Sequence, residues 1–182
     1  MIIGLIGQKR SGKDTVAAFA REWAEARGVS AERFAFADAL KQEVAQVCGV
    51  TLDYIEVHKA RYRAMLQWWG TEYRRVQFGD DYWVSQVADR LDEWEIERST
   101  DQHAALAVVT DCRFANECKM VREHRGALVS VVRPGLPAED AHVSEQVAAL
   151  PFNFQIVNDG TIEMLRQRTE RLLDVMWTNG WR

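Results

Sequence analysis

Residues Gly7 to Thr15 read GQKRSGKDT, with two glycines separated by four residues and followed directly by a lysine. Backbone N–H groups can crowd around phosphate oxygens only where side chains are absent, so Gly7 and Gly12 suit a turn that wraps a polyphosphate. Lys13 opens a helical pattern, where its ammonium reaches β- and γ-phosphates and the helix N-terminus adds partial positive charge. Lys9, Arg10 and Ser11 fill the turn. The two basic residues bring charge beside the phosphates, although a solvated turn would carry them too. The phosphate-binding pattern G-x-x-x-x-G-K normally continues with Ser or Thr, whereas this chain has Asp14 there and a hydroxyl only at Thr15. A carboxylate can ligate Mg²⁺ directly or through water. On the competing assignment Asp14 only stabilises the first helical turn, and Thr15 or Asp111 organises the metal. Both assignments stay open at this level.

Asp111 follows the apolar run Ala104 to Val109 and Thr110, which places its carboxylate at a strand's C-terminal edge, where ligands sit in open α/β sheets. There it would hold Mg²⁺ through water, accept a hydrogen bond from the acceptor of a transferred group, or merely cap the turn before Asn116. Arg113 either turns toward a phosphate or pairs with Glu117. Asn158, Asp159 and Gly160 follow the last strand pattern. They would lie against the purine of a nucleotide, or form a turn in which Asp159 or Thr161 caps the final helix.

Between Tyr62 and Val84, helical geometry separates two stripes. Tyr62, Leu66, Trp69 and Tyr73 form an apolar one, most simply a core face. Arg63, Gln67, Gly70 and Arg74 run beside it with the same spacing. Glycine in a polar stripe lets a ligand approach the backbone while guanidinium forks take its charge, and a solvated face is the plainer alternative. Trp68 and Trp83 lie off the core stripe and could stack on a flat ring, though aromatic residues more often pack.

The elements that must position these groups follow from periodicity. Ile2 to Ile6 reads as a buried strand, Lys13 to Gly28 as a helix with Val16, Phe19, Ala20 and Trp23 on one face, and Arg33 to Phe36 as a second strand. Asp38 is expected to cap a helix carrying Leu40, Val44, Val47 and Cys48, stopped by Gly49. Residues 53–97 read as two or three helices broken near Phe78 to Asp81. Then come strand 104–109, a short helix from about Asn116 to His124, strands Ala127 to Val132 and Phe154 to Val157, and a last helix from Thr161 to Trp177. That helix has Ile162, Leu165, Leu172, Leu173 and Met176 on one side. Alternation of this kind predicts an α/β fold with a mainly parallel five-stranded sheet flanked by helices in three layers. All three prolines, Pro134, Pro137 and Pro151, fall between the last two strands, in a stretch expected to be a surface segment.

With 182 residues, a single domain is expected. The net charge of -4 gives no general attraction to a nucleic acid polymer or an anionic membrane, so neither is an expected partner. Three cysteines without CxxC spacing argue against a disulfide framework or a zinc site and fit a reducing cytoplasm. MIIGLI is too short for a signal-peptide core, and no run approaches the roughly 20 apolar residues of a membrane span.

Together, GQKRSGKDT, FADALK (Phe36 to Lys41), LQWWGTEYRR (Leu66 to Arg75), DDYW (Asp80 to Trp83), TDCRFANE (Thr110 to Glu117), HVSE (His142 to Glu145) and NDGTIEML (Asn158 to Leu165) resemble, in order, phage-type deoxynucleoside monophosphate kinases. The likeness covers nearly the whole chain, and the Lys-Asp-Thr variant of the P-loop is itself a trait of that group. A similar layout occurs in animal-type phosphomevalonate kinases. The resemblance implies a P-loop NTPase fold, ATP and Mg²⁺, and transfer of the γ-phosphoryl to a deoxynucleoside monophosphate. It implies a cytoplasmic setting too, the host's if the chain is phage-encoded.

On that reading Gly7, Gly12 and Lys13 hold the donor phosphates, with Lys9, Arg10, Ser11, Asn158 and Gly160 beside them, and Asp14, Thr15 and Asp111 serve Mg²⁺. Asp38, Lys41, Arg63, Gln67, Trp68, Gly70, Arg74, Arg75 and Trp83 form the acceptor side, on a helical insertion of about 53–97 and the helix before it. Arg113 holds the acceptor or the transferred group, and Arg133 acts from a lid of about 133–150 that excludes water. Two other readings remain: a kinase of a non-nucleotide phosphate such as phosphomevalonate, and an ATP-responsive binding or switch protein. A homodimer stays open.

Overall fold

The computed structural model of the chain describes residues 1–101, 104–136 and 147–181. Five apolar residues, Ile2–Ile6, form β1, buried along its whole length. Around it stand β2 (Ser30–Phe34), β3 (Ala105–Cys112), β4 (Ala127–Val132) and β5 (Phe154–Val157), all parallel, in the order β2-β3-β1-β4-β5. Continuous apolar runs are what a sheet covered on both faces requires, and β1, β3 and β4 have them. On one face α1 (Lys13–Glu25) and α8 (Ile162–Thr178) pack with Ile3 and Leu5 of β1, around Val16, Phe19, Trp23, Leu173 and Met176. On the other lies α7 (Ala115–Glu123), whose Val121 packs over Gly4 of β1. The α1–α8 pair is fixed by Asp174, which accepts from the Trp23 indole at 2.9 Å and from Arg27 at 2.7 Å. Trp177 meets Trp23 edge to face at 5.6 Å.

The chain divides into two compact units, Met1–Phe34 with Trp94–Arg182, and Ala35–Glu93. The second unit is helical: α2 (Phe36–Cys48), α3 (Leu52–Val57), α4 (Lys59–Gln67), a π-helix (Trp68–Arg75), α5 (Val76–Phe78) and most of α6 (Tyr82–Asp101). The break expected near Phe78 to Asp81 falls between α5 and α6. The unit has its own small core of Val44, Ala45, Ile55 and Leu66, flanked by Leu40, Tyr62 and Trp69. Among the described residues no helix is long and apolar enough to cross a membrane.

Four local expectations are corrected. β2 runs over Ser30–Phe34 rather than Arg33 to Phe36, because it is an edge strand whose exposed Ser30, Glu32 and Arg33 erase the apolar pattern. Consequently Phe36 begins α2, and Asp38 sits inside its first turn with Ala35 at the cap. β3 continues to Cys112, so Asp111 is a strand residue rather than the one after it. Val47 and Ile162, expected on buried faces, are 58% and 64% exposed: each lies at the margin of an apolar stripe that is narrower than its sequence suggests. The proline-bearing stretch and HVSE fall largely outside the described residues, which resume with a 3₁₀ turn at Val147–Ala149.

Candidate active site

Because all five strands are parallel, the turns that follow β1, β3, β4 and β5 share one edge of the first unit. Ile6 pairs with Cys112 of β3 on one side and with Ser130 of β4 on the other. Gly7 therefore begins its turn beside the strand end that carries Asp111. A Cβ on Gly7 would lie 2.5 Å from the Val131 carbonyl oxygen and 2.6 Å from Ser11 Oγ, so only glycine lets the chain turn this close to β4. Arg10 and Gly12 both have positive φ, 65° and 104°, and these two left-handed residues bend the turn back toward α1.

The turn is braced from within. Ser11 N–H donates to the Gln8 carbonyl at 3.1 Å and Lys13 Nζ to the same carbonyl at 3.0 Å. Asn158 Nδ2 donates to the Ser11 carbonyl at 2.9 Å, linking the segment after β5 to the turn. Lys13 is 7% exposed at the start of α1, and the buried Ser11 hydroxyl has no hydrogen-bond partner among the described residues. An orphaned buried hydroxyl, a nearly buried ammonium and the positive end of a thirteen-residue helix fit a bound anion. Asp14 is exposed and Thr15 half-buried on the first turn of α1; with half-buried Asp111 they offer the all-oxygen donor set that Mg²⁺ takes.

The turn after β3 is shaped by Glu117, which the sequence offered only as a pairing partner for Arg113 and which binds main-chain N–H groups. Glu117, 2% exposed, accepts from the main-chain N–H of Arg113 at 2.7 Å and of Phe114 at 3.1 Å, closing the N-terminus of α7. Phe114 at the cap offers no side-chain acceptor, so the Ser or Thr that would announce a capping box is missing and only its glutamate half is present. Arg133 is exposed directly after β4. In the 158–160 turn Asp159 pairs with Arg168 at 2.6 Å, and Thr161 caps α8 by accepting from Met164 N–H at 3.2 Å.

The second unit gathers most of the other candidates. Lys41 is buried between Glu56 and Asp38, the latter at 3.7 Å. Glu43, on α2, accepts from Trp69 Nε1 at 2.9 Å, from Arg74 Nε at 2.7 Å and from the Tyr82 hydroxyl. The Arg74 guanidinium lies 5.0 to 5.4 Å from the ring centres of Trp69, Tyr73, Phe78 and Tyr82. Arg75 is buried and donates to the Asp80 carbonyl at 2.7 Å. Trp83 is buried with its indole on the Gly70 carbonyl at 2.8 Å, and a Cβ on Gly70 would lie 2.9 Å from Leu40 Cδ2. The close neighbours of Gly70 are thus this unit's own side chains. Trp68 is 47% exposed and stacks on Tyr73 at 5.4 Å with an interplanar angle of 13°. Arg63 and Gln67 are half-buried on α4. The π-helix widens the turn from Trp68 onward, so the two stripes drawn at α-helical spacing do not continue in register through it.

Similarity to known proteins agrees with this geometry. The chain resembles Mycobacterium tuberculosis APS kinase in complex with AMPPNP and APS at 14% identity, TM-score 0.53, over 95% of this chain and 96% of that one. A Janibacter sugar kinase matches at 17% identity, TM-score 0.51, over 96% and 94%. At such identities the likeness establishes the fold, that of P-loop kinases. In sequence, an Acanthamoeba polyphaga mimivirus protein provisionally named deoxynucleotide monophosphate kinase is 28% identical over 90% of this chain and 91% of its own length. The deoxynucleotide monophosphate kinase of Enterobacteria phage T4 is 31% identical over 63% of this chain, which spans 46% of the phage enzyme. The Escherichia phage RB69 enzyme is 32% identical over 61%, and the chain spans 44% of it. The deoxynucleotide monophosphate kinase family pattern matches residues 50–169, taking in the polar helices and the strand with Asp111, so the chain belongs to that family and is a phosphotransferase acting on a nucleotide monophosphate.

Proposed function

We propose that the Gly7 to Thr15 turn holds ATP and that the chain transfers its γ-phosphoryl to the phosphate of a deoxynucleoside monophosphate, giving the diphosphate and ADP. The observation that carries the donor half is the buried, unpartnered Ser11 hydroxyl beside the nearly buried Lys13 ammonium at a helix N-terminus. Main-chain N–H groups of the turn and Lys13 bind and orient the donor phosphates. Asp14, Thr15 and Asp111 would hold Mg²⁺, which when bound neutralises charge on the phosphate oxygens.

The acceptor oxygen is already ionised at neutral pH, so no general base is needed. An acceptor oxygen bonds to the γ-phosphorus as the bond to the β,γ-bridging oxygen breaks, and ADP leaves with that electron pair. The protein's work is alignment and charge neutralisation. Arg113 and Arg133, at the ends of β3 and β4, are assigned to the transferred group. Asp38, Lys41, Arg63, Gln67 and Arg74 are assigned to the acceptor. The exposed Trp68 ring, backed by Tyr73, supports an acceptor that bears a flat base, against a phosphomevalonate-like one.

In Lys13→Ala, kcat should fall by about a hundredfold or more with an unchanged circular dichroism spectrum. Turnover near that of the parent protein would remove the donor assignment. ADP release measured against a panel of deoxynucleoside monophosphates, with phosphomevalonate as control, tests the acceptor. Release independent of any acceptor would instead indicate an ATP-responsive switch.

A further inference from the structure

Arg74 and Arg75 are adjacent and equivalent in sequence, yet the second unit uses them differently. Arg75 is buried and spends Nη1 on the Asp80 carbonyl, bracing the turn between α5 and α6. Arg74 instead donates to Glu43 through Nε, the inner nitrogen of its guanidinium, and makes no other side-chain hydrogen bond among the described residues. Four aromatic rings within 5.0 to 5.4 Å confine that guanidinium. Two of them, Trp69 and Tyr82, also donate to Glu43, so one carboxylate on α2 ties together the π-helix, α6 and the arginine. A guanidinium gripped at Nε retains two terminal amino groups in one plane, the fork that matches two oxygens of a phosphate. π-Helical turns recur at functional sites, and this one carries the arginine.

We propose that Glu43 is a positioning residue for acceptor binding, fixing Arg74 through Nε so that its two terminal amino groups take the phosphate of the deoxynucleoside monophosphate. The proposal deepens the functional reading above and rests on Arg74 binding the acceptor. Glu43 touches no substrate and acts through the geometry of its partner.

Steady-state kinetics on the full chain with dTMP, dGMP, dCMP and dAMP separates the two ideas. Glu43→Gln keeps the side chain's shape while removing its charge. It should raise the KM for the acceptor about tenfold while the KM for ATP stays within about twofold. The Glu43→Gln/Arg74→Ala double variant should be no worse in acceptor KM than Arg74→Ala alone, as expected when one residue acts only through the other. Arg74→Lys keeps the charge, leaves Glu43 in place and lacks the fork, so it too should raise the acceptor KM about tenfold even if Glu43→Gln does not fold.

If Arg74→Ala weakens acceptor use while Glu43→Gln only lowers the melting temperature, Glu43 is a structural staple and the positioning role is overturned, with the acceptor assignment intact. An unchanged acceptor KM in Arg74→Lys likewise overturns the fork. Should Arg74→Ala itself leave the acceptor KM unchanged, the acceptor assignment fails, and the proposal with it.

Discussion

At Glu43 burial pushes the carboxyl up, but the hydrogen bonds from Tyr82, Trp69 and Arg74 outweigh it and hold the group below its ordinary value of 4.5. A carboxyl whose folded value lies below its unfolded one binds fewer protons when folded, so its contribution is complete above about pH 5 and is lost as pH falls through the folded value. Urea midpoints measured between pH 7 and pH 3 should therefore decline more steeply in the parent protein than in Glu43→Gln. Parallel curves would show that the carboxylate contributes nothing in the charged form. The same burial acts on thiols with the opposite outcome. Cys118 is pushed up to about 11 by burial and by the nearby Glu117, and fully buried Cys112 is also raised well above its ordinary value, first by burial. Cys48 is half-buried. Native protein treated with iodoacetamide at pH 7.5 should thus be alkylated at Cys48 alone, since the thiolate is the nucleophile. Modification of Cys112 or Cys118 before unfolding would mean that the β3–α7 turn opens in solution.

Among elements, the contrast between two glycines shows what a backbone demands. A Cβ on Gly7 meets a main-chain oxygen of β4 at 2.5 Å, and strand backbone cannot move aside without breaking sheet pairing. A Cβ on Gly70 meets the Leu40 side chain first, its Cδ2 tip at 2.9 Å, and that tip can rotate away. Gly7→Ala is expected to cost about 1–3 kcal/mol as an overpacked site, and Gly70→Ala less than about 1 kcal/mol. Thermal unfolding of the two variants checks the ranking, and equal losses would contradict it. β1, β3 and β4, with α1, α7 and α8, were legible because strands buried on both faces, and helices buried along one stripe, advertise their period in apolar side chains; β5, the other edge strand, kept enough of that signal in Phe154, Ile156 and Val157. β2 was misplaced because an edge strand with charged outer residues has no such period. The shape of the Gly7 to Thr15 turn was readable to single residues, since Gly7 is forced by the approach of β4 and Gly12 by its positive φ. Nothing in the sequence announced Glu43, which lies on a helix remote from its partners in the chain: only folding brings Trp69, Arg74 and Tyr82 to it. The π-helix was equally hidden, because its extra residue per turn leaves no compositional mark.

Across the whole molecule the proposed roles divide as the two units do. The residues proposed for the donor, the Gly7 to Thr15 turn, Asp111 and Asn158, belong to the unit with the sheet, while Lys41, Glu43 and Arg74, proposed for the acceptor, belong to Ala35–Glu93. The two have separate cores: Leu5, Trp23, Leu106 and Met176 in one, Val44, Ile55 and Leu66 in the other. Separate cores open with separate free energies, and the smaller one, with fewer buried apolar side chains, should open first. Ile55 is fully buried in it, and Ile55→Ala should remove about 2–5 kcal/mol from that core. Hydrogen exchange should then accelerate over 35–93 while the amides of β1, β3 and β4 keep their protection. Binding of AMPPNP, followed calorimetrically, should persist in the same variant, because the residues assigned to the donor phosphates lie outside the loosened core. Acceptor-dependent ADP formation should fall, because Arg74 depends on α2 and the π-helix remaining packed. If exchange rises uniformly instead, or AMPPNP binding disappears along with turnover, then donor and acceptor functions are not partitioned between the two cores.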